Sequence, residues 1–290
     1  MVTGDDSRAP DARTGLCVLL GNPVEHSLSP AIHNAAFRAA GLNLAYLACR
    51  VEDLGNAIRG VRALGVIGAS ITIPHKLAVI EHLDALDPHA ARVGSVNTIV
   101  RNDGRLVGST TDGAGALAAL RQSGADPRGQ RVLILGAGGS ARAIAMTLAN
   151  EAHPASLTLL ARDRGKAERL AHDVRAAAPV EVRAGELETQ RLTDELRDAR
   201  LLVHTTSVGM AATSSDCLVP REALRPDLTV FDIVYTPLVT ELGRRAMAAG
   251  ARVVPGIEML VHQAAAQFTL WTGRPAPIDV MRAAALARLA

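Results

Sequence analysis

Two segments made otherwise of small polar and aliphatic residues each end near a group able to move a proton. Ser70-Ile71-Thr72-Ile73-Pro74-His75-Lys76 carries an amine, and Gly108-Ser109-Thr110-Thr111-Asp112-Gly113 carries a carboxylate. Brought together by a fold, a lysine and an aspartate can act as an acid/base pair, passing a proton to or from a reacting group. Taken on their own, an exposed helix lysine and an N-cap aspartate are the plainer readings of the same residues.

A third segment, Gly136-Ala137-Gly138-Gly139-Ser140-Ala141, follows the apolar run Val132 to Leu135 and opens an alanine-rich helical stretch. Glycines there let the backbone turn tightly and approach a pyrophosphate, while the helix aims its free amides at the negative charge. A tight strand-to-helix turn accounts for the glycines equally simply. After the next strand the chain reads Ala161-Arg162-Asp163-Arg164-Gly165-Lys166, at the place where a dinucleotide site meets the adenosine ribose. Arg162, with Arg164 or Lys166 as a second charge, suits a 2′-phosphate and hence NADP; Asp163 keeps NAD as the alternative, and a solvated helix start is the bland one.

Positioning these groups falls to alternating strand-length and helix-period segments, which argue for an α/β protein built on parallel sheets. Leu16 to Leu20 reads as a first strand, and Ser29-Pro30 as N-cap and first-turn proline of a helix that Gly41 can end. Leu44 to Val51 and Ala69 to Ile73 read as strands, and Pro74 is expected to open a helix towards Leu86 with Lys76 in its first turn. Asn102-Asp103-Gly104 signals a hairpin between Val96 to Arg101 and Leu106 to Ser109. Strands follow at Val132 to Leu135, Leu157 to Leu160, Val180 to Arg183, Leu201 to His204, Val230 to Val234 and Arg252 to Val254. A long helix runs from Gly256 to Trp271, ended by Gly273, and a last one from Ile278 to Leu289.

A length of 290 residues favours two domains. The net charge of +2 comes from scattered charges and leaves no footprint for nucleic acid, so a small-molecule partner is expected. Cys17, Cys49 and Cys217 form no CxxC pair and His26 and His33 no metal spacing, so neither zinc nor a disulfide framework is indicated. Met1 to Thr14 reads as a loose polar tail without a secretory apolar stretch. Arg142 interrupts the best membrane candidate, Ile134 to Ala149. A cytoplasmic protein is expected, with a homodimer left open.

Together with the glycine turn, the order of four polar segments, Gly21 to Asn34, Ser70 to Lys76, Gly94 to Thr98 and Gly108 to Gly113, resembles the shikimate dehydrogenase family over nearly the whole chain after the tail. The resemblance implies two α/β domains: a substrate domain over 1–112, a Rossmann-like NADP-binding domain over 113–249, and C-terminal helices over 250–290 returning to the substrate domain. It implies Lys76 and Asp112 as the catalytic pair in reversible reduction of 3-dehydroshikimate to shikimate. Ser27 and Ser29 would hold the substrate carboxylate, with Thr72, Asn97, Tyr235 and Gln263 as further substrate contacts. Cofactor contacts would be Gly136, Ala137, Gly138, Gly139, Ser140, Ala141, Arg162, Lys166, Thr206, Ser207, Gly256 and Met259.

The chain departs from the family pattern at Ser70 and Thr110, where asparagine is common, at His75, at His204, where asparagine opens Thr205-Thr206-Ser207-Val208-Gly209-Met210, and at Glu258, often glycine. Such changes keep quinate or an amino-substituted analogue open as substrate, and a ligand-binding paralogue of weak activity as a different class. Ser29, where quinate-preferring members often carry threonine, leans to shikimate.

Overall fold

A computed structural model of the protein describes residues 9–210 and 216–289. Strand β1, Gly15–Gly21, serves two cores at once, because successive strand side chains point to opposite faces. Cys17 and Leu19 join one apolar cluster; Val18 and Leu20 join another. The chain continues through α1 (Ser29–Ala39), β2 (Leu44–Arg50), α2 (Leu54–Ala63) and β3 (Gly68–Ile71). Then come β4 (Ala85–Leu86), α3 (Pro88–Val93), β5 (Thr98–Asn102) and β6 (Arg105–Ser109). These strands form one sheet in the order β2-β1-β3-β5-β6-β4. β5 runs antiparallel to β3 and β6, and the β5–β6 hairpin closes on Asp103 and Gly104, both at positive φ as a two-residue turn of this kind requires.

Helix α4 (Asp112–Gln122) leads to the second sheet. It contains β7 (Arg131–Leu135), α5 (Gly139–Thr147), β8 (Ser156–Ala161), α6 (Arg164–Ala177), β9 (Glu181–Glu186), α7 (Thr189–Asp198) and β10 (Leu201–His204). The unit closes with β11 (Thr229–Asp232), α8 (Glu241–Ala248) and β12 (Arg252–Pro255). All its strand pairs are parallel, in the order β12-β11-β10-β7-β8-β9. Again one strand feeds both faces, with Val132 and Ile134 packed among residues of α5 and α6, and Leu133 and Leu135 among residues of α7 and α8. Such two-sided burial is why parallel strands read as unbroken apolar runs. Helices α9 (Gly256–Thr272) and α10 (Ile278–Leu286) finish the chain, and α9 ends on Gly273 in the left-handed conformation.

Four expectations change. Lys76 does not sit in an α-helix: residues 74–77 form turns before a short 3-10 segment, Ala78–His82. The Lys76 carbonyl accepts the Val96 N–H at 2.9 Å and so is withheld from a helical ladder. Ser29 is the first helical residue of α1, not its N-cap; Leu28 holds that place without a side-chain cap. Strand β12 pairs with β11, so the second sheet extends past residue 249. The expected tail divides: residues 1–8 lie outside the described residues, whereas Asp11 and Thr14 form a turn bonded to Asn43.

Two glycines on α4 explain how the sheets meet. Gly113 and Gly115, two positions apart on a helix, face nearly opposite ways. A Cβ at Gly113 would collide with Thr147 and the Ala143 carbonyl of α5, and one at Gly115 would lie 2.8 Å from the Gln263 backbone nitrogen of α9. Helix α4 is thus clamped between the two units, with Asp112 at its first turn. Helix α9 straddles both, since Met259 packs into the second unit's core and Leu260 into the first unit's.

Candidate active site

Strand ends bring the chemistry together. β3 ends at Ile71, whose N–H donates to the Asn97 carbonyl, so Thr72 to Lys76 and Asn97 emerge side by side. Thr72 lies over Gly21 at the end of β1, and the loop from Gly21 carries Ser27 and the buried Ser29. Lys76 then reaches Asp112 on α4, forming a close ion pair, and Ser140 on α5 at 3.2 Å. Gly139 fits against the Lys76 side chain with little room to spare: a Cβ there would lie 3.2 Å from Lys76 Cβ.

Asp112 is 4% exposed and Asn97 2% exposed, so both depend on internal partners. Asn97 Nδ2 faces Asp112 Oδ1 at 2.8 Å, Thr111 Oγ1 at 2.9 Å and Gln263 Oε1 at 3.3 Å, three acceptors for two hydrogens. Asn97 Oδ1 accepts the Thr111 N–H and the Thr98 hydroxyl. Fully subscribed in this way, the asparagine holds the carboxylate in one orientation towards Lys76.

The network runs on through groups that motif reading overlooked. Gln267 donates to Thr98 Oγ1 and the Asn97 carbonyl and accepts from Ser70, which in turn accepts from the Tyr46 phenol at 2.7 Å. Gln267 lies one turn beyond Gln263 on the same face of α9, a spacing that would have flagged it. Ser29 borders the Tyr46 hydroxyl, which burial keeps protonated. Tyr235 packs against the cluster containing Leu28 and Leu260; its phenol makes no hydrogen bond among the described residues, and burial keeps it protonated too.

On the other side of Lys76 lies the mouth of the second sheet. Strand order turns at β7: the chain proceeds to β8 and β9 on one flank and to β10 on the other, and ligands of such sheets sit beyond the strand ends at that switch. The two loops flanking it are Gly136 to Gly139 and Thr205 to Met210. Gly136 has φ +115°, and a Cβ there would strike Thr205 Oγ1. Gly138 faces open space, and no side chain caps the first turn of α5. Free helix amides beside open backbone suit an anion such as a pyrophosphate. Ala137 and Ser140 are half-buried in this turn, whereas Ala141 is buried in the core behind it.

Arg162, at the end of β8, is exposed and has no hydrogen bond or ion pair among the described residues. The neighbouring Asp163 is turned to its own helix, accepting the Lys166 N–H at 3.0 Å and pairing with the Lys166 ammonium at 3.9 Å. Thr206 and the exposed Ser207 border the switch, and Gly256 opens α9 tight against the Ile233 carbonyl.

The Shikimate dehydrogenase substrate binding domain family matches residues 19–99, and the Shikimate 5'-dehydrogenase C-terminal domain family matches 256–286. The NADP(+) shikimate dehydrogenase of Moorella thermoacetica is 49% identical over 93% of this chain and 92% of its own. The chain belongs to the shikimate dehydrogenase family. Its fold agrees. A solved shikimate dehydrogenase in complex with NADP+ superposes with a TM-score of 0.90 at 36% identity, covering 97% of this chain and 98% of that one. The Thermus thermophilus enzyme in complex with NADP(H) and shikimate gives 0.85 at 37% identity, covering 95% of this chain and all (100%) of that one.

Within this family frame the departures find local partners. Glu258 is held by Arg282 of α10 at 3.0 Å, His75 Nε2 lies 3.2 Å from the Val51 carbonyl, and Ser70 is part of the Gln267 network. The Thr110 hydroxyl is buried without a partner among the described residues, and the structure offers no account of it.

Proposed function

We propose that this protein is an NADP-dependent shikimate dehydrogenase, reversibly reducing 3-dehydroshikimate to shikimate, with Lys76 and Asp112 as its catalytic pair. The observation that carries the proposal is Lys76 itself, bonded at once to a carboxylate fixed by the substrate-side network and to Ser140 on the helix of the glycine turn. One side chain marks where the two halves of a hydride transfer meet. The proposed division is a substrate unit from the N-terminal region, completed by α9 and α10, and a dinucleotide unit running from α4 through β12.

The glycine turn, the uncapped α5 and the unpartnered Arg162 fit a phosphorylated dinucleotide, and Gly136 to Ala141, Arg162, Lys166, Thr206, Ser207, Gly256 and Met259 are the proposed residues to hold it. When bound, NADP(H) supplies or accepts the hydride. Lys76 Nζ delivers a proton to the carbonyl oxygen in reduction and recovers it from the hydroxyl in oxidation, while Asp112 keeps the ammonium aimed. Ser27, Ser29 and Tyr235 present hydroxyls to a carboxylate; Thr72 and Gln263 present groups able to pair ring hydroxyls, and Asn97 would join them by exchanging one of its internal partners for a substrate hydroxyl. A site that pairs buried hydroxyls discriminates strongly against a wrong pattern, which gives the network its role in choosing shikimate over quinate. A reducing cytoplasm suits the three unpaired cysteines; burial pushes the Cys17 thiol up to about 12 and keeps it inert.

Initial rates with NAD and NADP against shikimate, quinate and aminoshikimate test the proposal; turnover should be fastest with NADP and shikimate. Arg162→Ala should raise the KM for NADP about ten- to a hundredfold, the worth of a charge-assisted phosphate contact, and leave that for NAD within about twofold. Equal losses with both cofactors would remove Arg162 from the phosphate site.

A further inference from the structure

His204 stands at the end of β10 with its ring inside the protein, 2% exposed, and it touches two polar groups. Its Nδ1 lies 2.9 Å from Asp232 Oδ1 on the adjacent β11, and its Nε2 lies 2.6 Å from the Thr206 hydroxyl. Asp232, 3% exposed, also accepts the Thr240 hydroxyl at 2.7 Å and the Val234 N–H at 3.1 Å. A carboxylate already receiving two donors takes a third readily, so Nδ1 is assigned the hydrogen that faces Asp232, which leaves Nε2 as the acceptor facing Thr206. Thr206 must then spend its only hydroxyl hydrogen on His204. The same oxygen accepts the Val208 N–H at 3.2 Å, which agrees with that polarity.

Thr206 belongs to one of the two loops at the switch between β7 and β10, beside Thr205, whose hydroxyl donates to the Leu135 carbonyl at 2.6 Å next to Gly136. We infer that His204 and Asp232 are positioning residues for the dinucleotide: they lock Thr206 as a hydrogen-bond acceptor, matched to a donor on the nicotinamide half, its carboxamide N–H or a ribose hydroxyl. An unlocked hydroxyl rotates among several partners and must be ordered at the moment of binding, whereas a locked one is ready. Removing the lock therefore weakens the cofactor and spares the acid substrate, which the other half of the cleft holds. This inference rests on the dehydrogenase reading for the identity of the ligand, though not for the geometry.

Two substitutions separate the ring's two contacts. Asparagine places its amide near the position of Nδ1 and keeps a donor for Asp232; glutamine reaches the position of Nε2 and keeps a partner for Thr206. Binding of NADPH by the full-length protein, followed by nucleotide fluorescence, should weaken about five- to tenfold in His204→Asn and no more than about threefold in His204→Gln, with shikimate affinity unchanged in both. Thr206→Val should weaken NADPH to a similar degree, and adding His204→Asn to it should cost nothing further, since the ring acts through that hydroxyl. NADPH affinity within about twofold of wild type in His204→Asn, or losses that simply add in the double variant, would overturn the inference and leave His204 a packing residue. If wild-type protein binds NADPH with this dependence yet does not reduce NADP with shikimate, the activity reading falls and this inference stands; absence of NADPH binding sinks both.

Discussion

Lys76→Met should lower kcat by about two to four orders of magnitude while NADPH affinity changes little. Methionine keeps most of the aliphatic stem that fills the space beside Gly139, so the cleft remains packed while the transferable proton is lost. The substitution also leaves the Asp112 carboxylate, 6% exposed as a side chain, facing Asn97 without a cation. Breaking one half of a buried pair costs about 3–5 kcal/mol, so the single variant is expected to melt earlier as well. A second variant removes that ambiguity: Lys76→Met combined with Asp112→Asn carries neither charge and should recover much of the lost Tm without recovering turnover. If instead the single variant keeps kcat and only its KM for shikimate rises, Lys76 binds the substrate and moves no proton. Full turnover in the double variant would remove both residues from the chemistry.

Why these two residues were readable in the sequence, and their neighbours were not, follows from how each is held. Lys76 and Asp112 lie just past strand ends, one in a turn and the other in the first turn of α4, where small polar residues have no ordinary packing reason and so attract attention. The glycine turn was legible for a similar reason, since Gly136 at φ +115° is a conformation that a side chain would strain. Gln267 is easily passed over, despite its spacing from Gln263, because a glutamine on a long helix looks like solvent-facing polarity; tertiary placement shows it 1% exposed against Thr98. Helix α2 is legible too, since Leu54, Ile58 and Val61 recur at helical spacing and Asp53 caps it by accepting the Asn56 N–H, although Gly55 and Gly60 lower its local propensity. The helix expected from Pro74 failed through a long-range event, the capture of the Lys76 carbonyl by Val96, which no local propensity encodes. His204 was noticed as a departure, but its meaning depended on Asp232, a residue on the neighbouring strand whose register sets His204 opposite it.

Acid should destabilise this fold from pH 6.5 downward through one buried ring in α1. His33 is fully buried, stacked on Tyr46 at 4.4 Å and tilted against Trp271 at 5.0 Å, and neither ring nitrogen has a hydrogen-bond partner among the described residues. Burial pushes its pKa down from 6.5 to about 3, with the nearby Gln267 amide opposing. In the unfolded chain the same imidazole takes up a proton near its ordinary value. Between those two pH values the unfolded state therefore binds more protons than the folded one, so stability rises with pH and is lost as pH falls below 6.5, at up to about 1.4 kcal/mol per pH unit. Well above 6.5 the ring is neutral in both states and contributes no slope. Replacing it by His33→Phe keeps an aromatic ring against Tyr46 and removes the titration. Urea unfolding of both proteins at pH 7 and pH 5 isolates the effect, because any fixed packing cost of the phenyl ring cancels between the two pH values. The variant should gain about 2 kcal/mol relative to wild type on going from pH 7 to pH 5. A difference that stays constant over that interval would mean that His33 accepts a proton inside the folded core, and that the stack of rings beneath Ser70 and Gln267 is open to water.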